Sequence, residues 1–134
     1  MIDAYFAEIE QVLHKFPNIL RSTLTKKRYN AKQGYISGSV SFDNGCRLEF
    51  MELKDTDRTA KVKYRYQYMD KQNICLFRYD NAPHHPDVAN FPHHKHTGEN
   101  ILASLEPTLL DVLLDIVGQE NHLSKPEIHA PSGG

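Results

Sequence analysis

The chain has 134 residues, a formal net charge of −1 with its histidines neutral, 40% apolar and 25% charged residues. That is the make-up of one soluble globular domain with enough chain for a core of its own. It excludes a membrane span, since no apolar run approaches ~20 residues; it also excludes a globally basic nucleic-acid binder, so any phosphate affinity must come from a local patch.

Tyr5, Phe6, Ile9, Val12, Leu13 and Phe16 recur at helical spacing, so residues 3–15 are predicted to form an amphipathic helix that Pro17 helps to end. Its acidic opening, Met1 to Glu10, is unlike a signal peptide. Strand-like runs follow near 21–29, 34–42, 46–54, 60–69 and 74–80, separated by short polar turns. Two of them hold Cys46 and Cys75, which read as reduced, packed thiols of a cytosolic protein. Lys26-Lys27-Arg28 with Lys32, and Lys61, Lys63 and Arg65, are the local basic runs. They read first as solvated strand faces and second as phosphate patches. A second helix is predicted over 107–117, with Pro107 in its first turn and Gly118 as a stop. Residues 119–134 read as a disordered tail. The whole is α+β: an antiparallel meander of about five strands with an N-terminal and a C-terminal helix packed on it, one domain over residues 1–118. Alternation in the strands predicts one covered face and one open face.

Turns set the registers. A three-residue Asp43-Asn44-Gly45 loop, with Gly45 in the left-handed region, aligns Ile36, Val40 and Phe42 with Cys46, Leu48, Phe50 and Glu52. Glu52 is then the one carboxylate on an apolar face, either at a rim or facing a cation in a cleft. The next hairpin, closed by Asp70 to Asn73, is expected to pair Met69 with Ile74. Tyr64, Tyr66 and Tyr68 would then share a face with Cys75, Phe77 and Tyr79, more as core than as a base-stacking platform. The same register sets Arg65 opposite Arg78, which is tolerable if both reach water or if an anion such as Glu52, Asp80 or a phosphate lies between them.

Residues 80–96 hold five of the eight histidines and the tripeptide Pro-His-His twice. Turns do not need histidine; proton transfer near neutral pH and metal ligation do. His94 and His96 alternate onto one side of an extended chain, and with His84 or His85 they make a three-nitrogen set for zinc or another divalent metal, His85, His94 and His96 being the metal alternative. Without a metal, two imidazoles and a cation suffice to cleave RNA: a base for the 2′-hydroxyl, an acid for the leaving oxygen and a positive charge for the phosphate. Arg78, Asp80, His84, His85, His93, His94 and His96 are the candidate catalytic residues, Asp80 as the group that orients an imidazole. Glu52, Arg65, Tyr66 and Lys95 are the candidate substrate-binding residues. The bland alternative is a rigid loop whose imidazoles bond to backbone carbonyls.

At Glu52, at Tyr64-Arg65-Tyr66-Gln67-Tyr68, and above all at Phe77 to His85 and Phe91-Pro92-His93-His94-Lys95-His96, the chain resembles the TumE-like toxin family. The likeness runs from the first helix through residue 117, with Asn90 standing where the family pattern has a threonine. The resemblance implies a small cytosolic toxin of a two-gene module, neutralised by an antitoxin with a DNA-binding helix-turn-helix domain, with RNA as the substrate of a ribonuclease activity. Three readings stay open: a metal-independent endoribonuclease, a metal-dependent hydrolase or nuclease, and a non-catalytic protein-interaction module. Oligomeric state is open too, a homodimer included.

Overall fold

Residues 1–83 and 92–124 are described by the computed structural model. The expectations for His84 and His85, and for the tail over 125–134, lie outside the described residues. Helix α1 spans Ile2–His14 and buries Ile2, Phe6, Ile9 and Leu13, one residue in each turn. Among the described residues seven strands then form one antiparallel sheet in chain order: β1 (Ile19–Arg28), β2 (Gln33–Phe42), β3 (Arg47–Asp55), β4 (Lys63–Met69), β5 (Cys75–Asp80), β6 (His94–Thr97) and β7 (Asn100–Ala103). Helix α2 (Leu109–Ser124) closes the described chain. The fold is α+β as expected, with two short strands more than the five read from the pattern. Among the described residues no helix is long and apolar enough to cross a membrane.

Helix α2 departs from its expected bounds at both ends. It starts two residues later than 107 because Thr108 caps it: Thr108 Oγ1 accepts from Asp111 N at 3.1 Å, and Asp111 Oδ2 accepts from Thr108 N at 2.9 Å. It runs through Gly118 to Ser124, so residues 119–124 are helical rather than tail. A glycine costs a helix interior about 1 kcal/mol without stopping it. Asn18 Nδ2, donating to Glu120 Oε2 at 3.0 Å, ties the extra turn to the start of the sheet.

The β2–β3 hairpin has the expected register. Gly45 sits at φ 86, Phe42 N donates to Cys46 O at 3.0 Å, and Val40 lies opposite Leu48 and Ile36 opposite Glu52. Helices α1 and α2 cover the face that carries Ile36, Val40, Leu48, Phe50 and the tyrosines Tyr64, Tyr66 and Tyr68, which are core. Helix α1 approaches β2 so closely that a Cβ on Gly34 would sit 2.7 Å from the Phe6 ring. Neither cysteine is disulfide-bonded; Cys46 is half-buried, but Cys75 is exposed rather than packed.

The β4–β5 register differs from expectation. Asn73 adopts φ 62, Asp70 N donates to Ile74 O at 3.0 Å, and Met69 pairs with Cys75 instead of Ile74. Leu76 is then an extra residue, and beyond it Tyr68 faces Phe77, Tyr66 faces Tyr79 and Arg65 faces Asp80. Beyond the bulge the slip is two residues, so the side chains from Phe77 onward keep their faces while their partners change; at the bulge itself Leu76 packs against the core and Cys75 is exposed. Arg65 gains a carboxylate across the ladder and avoids Arg78, which lies opposite Gln67.

Candidate functional site

Strands β5 and β6 pair Arg78 with His96, Tyr79 with Lys95 and Asp80 with His94. Cross-strand partners share a face and chain neighbours oppose each other. Arg78, Asp80, His94 and His96 therefore project from the open face, with Arg65 next in the ladder. Tyr79 and Lys95 point toward the helices, and each donates to Asp115 Oδ2 of α2 at 2.8 Å.

Asp80, only 5% exposed, is the centre of the group. Its Oδ1 accepts from His94 Nε2 at 2.7 Å and from Ala82 N at 3.1 Å. Its Oδ2 accepts from Arg78 Nε at 2.8 Å and lies 3.5 Å from His96 Nε2. A buried carboxylate is tolerable only with donors of this kind. His94 is itself buried, and its Nδ1 donates to Pro92 O at 2.8 Å. Both of its nitrogens thus face acceptors, an arrangement satisfied when each carries a proton. His96 differs. Arg78 Nη2 lies 3.1 Å from His96 Nε2, and a guanidinium only donates, so that imidazole nitrogen accepts. Two rings with centroids 4.7 Å apart therefore meet different partners, Pro92 O for one and the Arg78 guanidinium for the other.

These residues line an open cleft of about 440 Å³, together with Met51, Lys63, Tyr64, Arg65 and Ala82. Met51 and Tyr64 were missed as site residues, and Lys63 was weighed only within a basic run. For Met51 and Lys63 the signal was alternation, since Met51 lies opposite Arg65 in the β3–β4 ladder on the face that Glu52 avoids; Tyr64 lies opposite Glu52 on the other face, and alternation did not point to it. One ligand atom each from Asp80, His94 and His96 lies within 4.8 Å of the others. Two imidazoles and a carboxylate suit a divalent metal. This trio shares only His94 and His96 with the expected metal set, and Arg78 bonds to two of its members.

The remaining candidates lie elsewhere. His93 stacks on Tyr64 with ring centroids 5.8 Å apart, and its Nδ1 is 2.8 Å from the Tyr64 hydroxyl. Burial, aided by Glu106 and Asp80, pushes the Tyr64 phenol up and keeps it protonated. Glu52 is fully buried on the helix-covered face, neither at a rim nor facing a cation. Tyr66 donates to its Oε2 at 2.7 Å, and Tyr5 of α1 donates to Oε1. Burial first, then the Glu52 charge, pushes both phenols up. Burial acts to lower the Lys95 ammonium, but its bonds to Asp115 and Tyr79 hold it above the ordinary range. Glu52, Tyr66 and Lys95 are thus not brought to the cleft, whereas Arg65 is.

No curated protein and no solved structure matches this chain significantly. A protein-family model described as "Toxin TumE" matches residues 9–121, a span that runs from within α1 through every strand of the sheet and into α2. With the histidine–arginine cleft inside that span, the chain belongs to the TumE toxin family, the toxins of toxin–antitoxin modules.

Proposed function

We propose that this toxin is a small metal-independent endoribonuclease that cuts RNA by acid–base chemistry at the cleft between β4, β5 and β6. The observation that carries the reading is the Arg78 guanidinium set against an accepting nitrogen of His96 on an open cleft wall. His96 takes the proton of the 2′-hydroxyl as that oxygen bonds to phosphorus. Arg78, with Arg65 and Lys63, meets the negative charge that builds on the phosphate oxygens. The bond to the 5′-oxygen breaks, leaving a 2′,3′-cyclic phosphate. The proton for the leaving oxygen is assigned to the two Pro-His-His repeats, hence to His84, His85 or His93. Asp80 and His94 position the pair rather than touch RNA, because both are buried. The neutralising partner carries a helix-turn-helix DNA-binding domain, and the toxin acts in the cytosol.

The test is expression of the chain in bacteria with and without its neighbouring gene, followed by growth and total RNA. Expression alone stops growth and fragments RNA, and co-expression restores both. The purified protein cuts RNA in a chelator with a bell-shaped dependence centred at about pH 6–7. Healthy cells with intact RNA would move the protein to the class of interaction modules.

A second reading rests on the clustering of Asp80, His94 and His96. A divalent ion held there would activate water for hydrolysis, with Arg78 displaced toward the substrate. Activity that disappears in chelator and returns with added metal decides for it.

A further inference from the structure

We infer that the polar trough across the open face of β1, β2 and β3 is a binding track for single-stranded RNA, continuous with the cleft and holding nucleotides beyond the one that is cut. The inference rests on the ribonuclease reading for its choice of occupant. A second cavity, of about 330 Å³, lies beside the first and shares Met51 and Arg65 with it. Its walls include the hydroxyls of Thr23, Thr25, Ser37 and Ser39 and the half-exposed ring of Tyr35. The ladders run unbroken from Thr25 through Ser37 and Met51 to Arg65 and Asp80. Five strands at about 4.8 Å spacing make a path of about 19 Å, enough for the about four nucleotides that the smallest single-strand sites cover.

Charge favours the same occupant. Glu49 is the one carboxylate among the residues lining the trough, and it is neutralised: Ser39 Oγ donates to its Oε1 at 2.7 Å, and Arg47 Nε lies 2.8 Å from the same oxygen. Arg65 forms no ion pair among the described residues and stands exposed where the two cavities meet. Lys27 pairs with Tyr35 at the β1 end. Positive groups at both ends, hydroxyls between and an aromatic ring suit phosphates, sugars and bases. A protein helix or a second copy needs an apolar floor, and here the apolar lining is Tyr35, Met51 and Phe50, the last of them buried.

The experiment uses the full chain and two fluorescent oligoribonucleotides, of two and of six nucleotides, carrying 2′-O-methyl groups so that neither can be cut. The hexanucleotide binds about tenfold or more tighter than the dinucleotide. Thr25→Glu and Ser37→Glu each reduce that ratio at least about threefold, and circular dichroism stays native because Thr25 is exposed and Ser37 half-exposed on the open face. Equal affinities, or an unchanged ratio in two folded variants, overturn the track. If the substitutions instead release a dimer or the antitoxin and leave the ratio alone, the face belongs to that protein and the inference falls. Length-dependent binding without cleavage of any RNA keeps the track and sinks the ribonuclease. Cleavage with no length dependence does the reverse.

Discussion

The sheet buries one carboxylate on each side, and the two are held in opposite ways. Glu52, beneath the helices, accepts from two phenols that burial keeps neutral. Asp80, on the open side, is met by a guanidinium and an imidazole, with a second imidazole 3.5 Å away. Neutral donors satisfy the lone pairs of a charge sealed into the core, which is architecture. At the open cleft the donors are instead a guanidinium and an imidazole, groups that carry or can take up positive charge. Burial alone does not separate the two carboxylates; the charge of their donors does.

The sharpest way to break this comparison is to remove the cleft's guanidinium or the imidazole that accepts from it. Arg78→Ala and His96→Ala each lower RNA cleavage by about 10²–10⁴-fold and abolish growth inhibition, with native circular dichroism. Unfolding of both variants would make Asp80 architectural as well. Next come the carboxylates themselves. Asp80→Asn removes the carboxylate shared by His94 and Arg78, costs about 3 kcal/mol and silences the molecules that remain folded. Glu52→Gln costs about 1–3 kcal/mol and leaves cleavage per folded molecule intact. Urea unfolding run beside activity separates them, and equal silencing by both would erase the distinction between the faces.

Alkali probes the core side. Burial and the Glu52 charge raise the pKa values of Tyr5 and Tyr66 above the ordinary phenol value of 10.0. Below about pH 10 both folded and unfolded chains keep these protons, so their contribution to stability is flat. Above it the unfolded chain loses protons that the folded chain retains, and stability falls with pH. Tyrosinate absorbance titrated together with circular dichroism should show ionisation of these phenols only as the fold is lost; early ionisation would mean that the Glu52 cluster is open to water. The smallest effect is Lys95→Met. Its ammonium bridges to Asp115 on the helix side, so calorimetry should find a loss below about 1 kcal/mol with unchanged cleavage.

Much of the fold was legible because alternation and turn chemistry are local. Gly45 announced its hairpin, and the Tyr64-Tyr66-Tyr68 stripe announced the core face. What escaped depends on distance or on a single irregular residue. The Arg65 partner was misjudged because the extra Leu76 and the left-handed Asn73 shift the register by two, which leaves the faces from Phe77 onward unchanged. Strands β6 and β7 were missed because four-residue runs such as His-Lys-His-Thr carry no apolar alternation. The burial of Glu52 needed Tyr5, 47 residues away. At the cleft, Arg78, Asp80, His94 and His96 could be named from composition and spacing. The division of labour between the two imidazoles could not, since it depends on Pro92 O and Arg78 lying beside different rings.

Strand β6 commits three neighbouring residues to two sides: His94 and His96 outward, Lys95 toward α2. A frame error of one residue would present a lone ammonium to the substrate and tuck both rings under the helix. Three residue pairs with β5 and four with β7, the Gly98 turn at φ 57 and the Lys95–Asp115 bridge hold that frame. The imidazoles of the proposed site therefore sit on one four-residue strand beside the edge strand of the sheet, so local opening of that short pairing would scatter them while the five longer strands stay folded.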